Sequence, residues 1–96
     1  MINFKYAPNI TRGDLILVTV YGAILQAGVF SGYSSANNVQ YWLLTPYNAE
    51  KILAGKKIYK AYISGDNQDI RVAKISEDIL SPEEKVVYKT FKEKWI

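Results

Sequence analysis

The stretch from Leu15 to Ala49 contains no formally charged residue, and this constrains the fold of the 96-residue chain more than any other feature. Polar interruptions such as Gln26, Asn37 and Asn38 exclude a membrane-spanning segment. The stretch is instead rich in leucine, isoleucine, valine and tyrosine, a composition typical of β-strands. Because 49% of all residues are hydrophobic and 22% are charged, we expect one globular domain over residues 1–96.

Three consecutive strands are predicted in the first half of the chain. Short turns separate them, which favours an antiparallel meander, and they span Leu15–Tyr21, Ala23–Tyr33 and Val39–Thr45. Both faces of the first strand are apolar, so we expect it to be a central strand, or to be covered on its outer side by another element or subunit. Gly28 and Gly32 interrupt the second strand, and glycine inside a strand often marks a bulge or a bend. These glycines predict a sheet that curls toward a barrel.

Two further strands and one short helix are predicted after the meander. Asn48 is expected to cap a helix over residues 49–54, with a long hairpin loop as the alternative. The remaining strands are expected over 57–63 and 69–75, because a polar turn signal separates these two runs.

The strongest helix signal lies at the end of the chain. Ser81, followed by proline and by Glu84, forms a capping-box pattern at the start of a helix over about 82–94. An apolar stripe recurs at every fourth position of this helix, at Val87, Phe91 and Trp95. We expect the stripe to pack on the sheet, and docking on a partner protein is the alternative.

Together these elements predict a mainly β fold with α-helix. The expected architecture is a five-stranded antiparallel small barrel or strongly bent sheet with a C-terminal helix. Gly13 and Asp14 before the first strand, together with Gly28 and Gly32, resemble the small SH3-like and Sm-like β-barrels over Arg12–Ile75. The resemblance concerns architecture. The RNA-binding loop residues of Sm proteins and the aromatic strand of peptide-binding SH3 domains are both missing, so no functional residue is carried over.

Histidine and cysteine are both absent from the chain. This excludes the familiar zinc, Ser-His-Asp, Cys-His and redox-dithiol sites. Helix capping or an exposed connection accounts for the acidic residues Glu77, Asp78, Glu83 and Glu84. We therefore expect a non-enzymatic binding protein with no cofactor, no metal and no membrane partner. Since no disulfide can form and the first residues do not resemble a signal peptide, the cytoplasm is the expected compartment.

The second half of the chain carries the whole net charge of +3, and its lysines cluster between residues 51 and 62 with tyrosines between them. Ammonium groups attract phosphates without sequence preference, and tyrosine rings offer surfaces on which bases stack. We therefore predict recognition of nucleic acid or of a nucleotide-like anion. The predicted binding residues are Lys56, Lys57, Tyr59, Lys60, Tyr62 and Arg71. The alternative is structural, because lysines on a strand edge prevent edge-to-edge aggregation.

A polar loop flanked by aromatic residues is a secondary candidate site. It comprises Tyr33, Asn37, Asn38 and Trp42. Such residues combine adaptable hydrogen bonding with rigid aromatic anchors, which suits a small ligand such as a nucleotide. An ordinary hairpin tip is the alternative.

The alternative function is that of a protein–protein inhibitor or adaptor, acting through an apolar sheet face and the C-terminal helix. Large apolar patches usually mark interfaces, so the same face predicts a homodimer. The face comprises Leu15, Leu17, Tyr21, Trp42 and Leu44. Lysine outnumbers arginine ten to two, and this bias toward AT-rich codons indicates a low-GC bacterium or one of its phages. A phage protein of this kind would be of the anti-defence type, including a sponge for a nucleotide messenger.

Overall fold

The computed structural model describes residues 10–20, 23–33, 38–63 and 70–96. Its strands and helices are β1 (Leu15–Val20), β2 (Ala23–Tyr33), β3 (Val39–Leu43), α1 (Pro46–Leu53), β4 (Ala61–Ile63), β5 (Ile70–Lys74) and α2 (Pro82–Trp95). A short 3-10 turn at Glu77–Ile79, which the sequence pattern does not predict, precedes α2. Tyr21 and the predicted turn between β4 and β5 lie outside the described residues. Within these ranges, no helix is long and apolar enough to cross a membrane.

The five strands form one antiparallel sheet in the order β4-β3-β2-β1-β5. The predicted meander of the first three strands is confirmed. β1 lies inside the sheet, between β2 and β5, and Leu15, Ile16 and Val18 from its two apolar faces are buried. Among the described residues, β4 and β5 form the two edges and do not pair with each other, so the sheet is open. Of the two predicted architectures, a small barrel and a bent sheet, the described strands form the bent sheet.

β2 changes its pairing partner near its middle, and Gly28 permits the change. Gly28 pairs with β1 on one side and with β3 on the other. A Cβ atom on Gly28 would lie 2.9 Å from the carbonyl oxygen of Trp42 and 3.0 Å from Cδ2 of Tyr41. The missing side chain therefore allows β3 to approach β2 closely. Further along, the register shifts between Phe30 and Gly32, which confirms the predicted irregularity in this strand.

The two faces of the sheet carry two separate apolar clusters. The first, which we call the curled-face cluster, contains Ile63 from β4 and Val72 from β5, so the sheet curls until its two edges share a core. Its buried members are Ile10, Ile16, Val18, Phe30, Val39, Tyr41, Ile63 and Val72. The second, the helix-face cluster, joins the other face to α1 and α2. Its buried members are Leu15, Val29, Trp42, Leu44, Ile52, Ile58, Leu80, Val87, Tyr88 and Phe91.

Helix α1 is confirmed, but it begins earlier than predicted. Thr45 is its N-cap, and the hydroxyl oxygen of Thr45 accepts a hydrogen bond of 3.1 Å from the backbone N–H of Asn48. The side-chain amide of Asn48 instead donates to the carbonyl oxygen of Leu43 at 2.9 Å. The predicted cap, Asn48, is wrong because Pro46 suits the first helical position and makes Thr45 the cap.

Strand β4 is shorter than predicted. It pairs with β3 along Ala61–Ile63, whereas residues 57–60 run outside the sheet. The reason is Ile58, whose side chain is buried in the helix-face cluster and draws this segment away from the sheet edge. The segment therefore crosses toward the face that the helices cover.

Helix α2 has the predicted capping box. The backbone N–H of Glu84 donates to the Ser81 hydroxyl oxygen at 3.2 Å, and the Ser81 N–H donates to the Glu84 carboxylate at 2.9 Å. Val87 and Phe91 are buried, and the ring centroids of Phe91 and Trp42 lie 5.1 Å apart. Most of the predicted apolar stripe therefore packs on the chain's own sheet.

We expect the substitution Gly28→Ala to lower the free energy of unfolding by about 1–3 kcal/mol, because the new methyl group would meet backbone atoms that cannot rotate away. At an open site, glycine to alanine instead raises stability by about 0.4–1 kcal/mol, so the sign of the change is diagnostic. Urea unfolding followed by far-ultraviolet circular dichroism measures it. An unchanged or increased free energy would contradict the close approach of β2 and β3.

Candidate functional site

A groove lies between the segment that precedes β4, the turn before β1 and the last turn of α2. Its volume is about 490 Å³. Aromatic and cationic side chains dominate its walls, and we call it the aromatic groove. It is lined by Arg12, Trp42, Lys57, Ile58, Tyr59, Lys60, Tyr62, Phe91 and Trp95.

The aromatic members divide into a buried floor and exposed walls. Trp42 is 6% exposed and packs against Phe91, so it forms the floor. Tyr59 and Tyr62 are 85% and 64% exposed, and Trp95 is 36% exposed. Because large apolar rings are normally covered, these exposed rings present unused contact area to a ligand.

The cations of the groove lie close to its aromatic floor. The Arg12 guanidinium carbon lies 5.1 Å from the centroid of the Trp42 ring, and Lys60 Nζ lies 5.2 Å from the same centroid. Both distances fall within the range of cation–π attraction, which favours these cations at the floor of the groove.

Every charged residue that lines the aromatic groove within the described part of the chain is a cation. No acidic residue lines it within the described part of the chain. Among the described residues, Lys74 forms an ion pair with Asp14 at 3.5 Å, and this pair involves none of the groove cations. The groove therefore offers a net positive potential to a ligand.

The segment before β4 exposes the groove residues because Ile58 anchors it. Ile58 is buried, whereas its neighbours Lys57, Tyr59 and Lys60 are exposed. The next buried anchor is Ile63, at the end of β4. Two apolar anchors thus fix an otherwise polar segment across the groove.

The turn before β1 positions Arg12. The Asp14 carboxylate accepts from the Thr11 backbone N–H at 2.9 Å, and the Asp14 N–H donates to the Thr11 carbonyl oxygen at 3.0 Å. Gly13 follows Arg12 with a φ of +96°, which favours glycine. The hydroxyl of Tyr88 donates to the Gly13 carbonyl oxygen at 2.8 Å. Helix α2 therefore holds this turn, and with it Arg12, against the sheet.

The groove brings together four of the six predicted binding residues, Lys57, Tyr59, Lys60 and Tyr62. Lys56 is exposed and precedes them, outside the lining. Arg71 lies on β5, where its backbone pairs with Thr19, at the opposite end of the strand order from β4. The side chain of Arg71 is outside the described part of the structure.

The secondary loop site is described only in part, and it stays a prediction. Tyr33 contacts Phe30 of the curled-face cluster, with ring centroids 5.2 Å apart, whereas Trp42 belongs to the helix-face cluster. Asn38 is half-buried, and Asn37 lies outside the described residues. Burial raises the pKa of the Tyr33 hydroxyl above its ordinary value of 10.0, so this group is a protonated hydrogen-bond donor at neutral pH.

Sequence reasoning missed two exposed members of the groove, Arg12 and Trp95. The local sequence indicates a turn at Arg12, before the first strand, and an apolar helix stripe that includes Trp95. Both interpretations describe the local structure, but 83 positions separate the two residues in the sequence. The one available signal was that Trp95 ends the stripe, where a helix leaves the surface that it covers.

The apolar face that predicts a homodimer is covered by the helices where the structure describes it. Leu15, Trp42 and Leu44 are buried in the helix-face cluster. Leu17 is half-buried, and Tyr21 lies outside the described residues. The homodimer stays a prediction, but these three buried side chains do not offer a surface to a second copy.

No group of three or more possible metal ligands occurs among the described residues. Comparisons with protein-family models, with curated proteins and with solved structures find no match for this chain. The groove is therefore interpreted from its own chemistry.

We expect Tyr88→Phe to lower the free energy of unfolding by about 1–3 kcal/mol, because the buried Gly13 carbonyl loses its donor. Urea unfolding measures the change. Tyr47→Phe is the matched control, since it removes a hydroxyl from an exposed ring and should leave stability unchanged. Equal stability of the two variants would show that the Tyr88 hydroxyl does not hold the turn.

Proposed function

We propose that this protein binds nucleic acid or a nucleotide-like anion in the aromatic groove and catalyses no reaction. The observation that carries the proposal is the exposure of Tyr59 and Tyr62 beside Arg12, Lys57 and Lys60, in a groove whose described lining contains no acidic residue.

Stacking is the first part of the proposed recognition. Every base has an apolar face, and stacking of one base on an aromatic side chain contributes about 1–3 kcal/mol. Tyr59 and Tyr62 supply such faces at the rim of the groove, and Trp95 supplies a third. This contribution depends little on which base is bound.

Electrostatic attraction is the second part. Lys57, Lys60 and Arg12 line the groove, and their charges attract phosphate without reading a sequence. Arg12 and Lys60 are already held near Trp42, so less conformational freedom is lost when a phosphate arrives.

We expect Tyr59→Ala and Tyr62→Ala each to weaken binding of single-stranded oligonucleotides about 5- to 150-fold, the equivalent of one lost stacking contact.

Lys57→Gln combined with Lys60→Gln should weaken binding and reduce the slope of log affinity against log salt concentration by about 1.4, near 0.7 for each lost phosphate contact. Fluorescence anisotropy of labelled oligothymidylate and oligouridylate at low and physiological salt measures both effects.

Matched controls separate the groove from the rest of the surface. Tyr47 is an exposed tyrosine with a cation, Lys51, 4.5 Å from its ring centroid, yet it lies outside the groove. Tyr47→Ala should therefore leave affinity unchanged. If the Tyr59 and Tyr62 variants retain full affinity, or if the control loses as much as they do, the groove is not the binding site. The lysines would then be edge protection.

A second candidate function, that of a protein–protein inhibitor or adaptor, is favoured by another groove between α1 and α2. This helix groove has a volume of about 610 Å³. Leu53 and Val86 are exposed apolar residues in its wall, and Glu83 and Glu84 are its charged residues. It is lined by Leu44, Pro46, Ala49, Leu53, Glu83, Glu84, Val86 and Val87. By charge complementarity, the occupant it fits is a partner helix with one apolar and one basic face.

A synthetic amphipathic helix of leucine and lysine tests this second function. We expect saturable binding by calorimetry, weakened more than about fivefold by Leu53→Ser or Val86→Ser, the loss expected for a residue at the centre of an interface. Ile79→Ser is the control, because Ile79 is equally apolar and exposed but lies outside the helix groove. Absence of binding, or equal weakening by the control, would rule out the helix groove as a docking site.

A further inference from the structure

We infer that the aromatic groove binds a single strand of several nucleotides and not a free nucleotide, a step that rests on the proposed function. Two observations carry it. The positive charge continues beyond the groove, and the exposed rings form separate stacking surfaces.

The charge continues through the end of α1 and the last turn of α2. Gly55, two residues after α1, has a φ of +75°, and a Cβ atom placed on it would lie 3.5 Å from Lys94 Nζ. Lys56 is the next residue, and it is exposed. Lys94 and Lys56 therefore flank the segment that enters the groove at Lys57. A free nucleotide held in the groove leaves these two cations unused, whereas a longer strand brings further phosphates to them.

The exposed rings are independent platforms. Among the described residues, the aromatic pairs are Phe30 with Tyr33 and Trp42 with Phe91. Tyr59 and Tyr62 therefore do not stack on another described ring, and 85% and 64% of these side chains are exposed to a ligand. Two platforms three residues apart suit successive bases of one strand better than a single base.

The same geometry disfavours a duplex. Stacking on a tyrosine ring requires a base whose face is not already covered by its neighbours. The bases of a duplex are stacked on each other, so a duplex engages only the cations. We therefore expect single strands to bind more tightly than duplexes of the same length.

The experiment compares ligands of increasing length on the intact protein. Labelled oligothymidylates of about 4, 8 and 16 nucleotides cover the range of known single-strand site sizes. Thymidine monophosphate serves as the competitor. We expect affinity to rise with length until the cationic surface is filled, and we expect the monophosphate to compete poorly.

The double variant Lys56→Gln/Lys94→Gln tests the extended surface. It should weaken oligonucleotide binding and reduce the logarithmic salt slope by about 1.4, two contacts of about 0.7 each, while leaving monophosphate competition unchanged. Lys85→Gln/Lys89→Gln is the control. It removes the same charge from a different surface of α2, beside Glu77 and Glu93, and should change neither quantity.

The outcomes separate this inference from the proposed function. If the monophosphate binds as tightly as the longest strand, the ligand is a free nucleotide, and the inference is wrong although the groove binds nucleotides. An unchanged salt slope in the Lys56/Lys94 variant, or an equal loss in the control, also overturns it. If neither ligand binds at low salt, the proposed function itself fails.

Discussion

The structure depends on one constraint, which is that both faces of its sheet are apolar and both must be removed from water. The chain solves the problem differently on each side. Curling brings the two sheet edges together around one cluster, and α1 and α2 cover the other face. Helix α2 is therefore part of the core, and its docking through Phe91 and Tyr88 determines where its last turn lies. The aromatic groove forms at the place where this cover ends.

Trp42 belongs both to the core and to the aromatic groove. One part of its ring packs against Phe91, and two cations approach the ring from the groove. The floor of the groove is consequently part of a strand, which favours a preformed site. The molecule also separates its charges, since the aromatic groove is basic and the helix groove is acidic. Ligands of opposite charge would therefore be directed to different surfaces.

Much of the fold could be predicted from the sequence, because strand alternation and helix capping are local signals. The meander, the short first helix and the capping box at Ser81 are all confirmed. The predicted strand over 57–60 is wrong because burial of Ile58 on the far face outweighs its local alternation. Part of the candidate site could also be predicted, since Lys57, Tyr59, Lys60 and Tyr62 lie within six residues of each other in the sequence. Arg12 joins them through the tertiary contact between α2 and the turn before β1, which no local pattern encodes.

The position of the two tryptophans has a practical consequence. The chain contains two tryptophans, Trp42 and Trp95, and both line the aromatic groove. When the tryptophans are excited selectively, all of the fluorescence therefore comes from residues that line this one groove. Binding of an unlabelled molecule in the groove would therefore change the intrinsic tryptophan fluorescence of the protein.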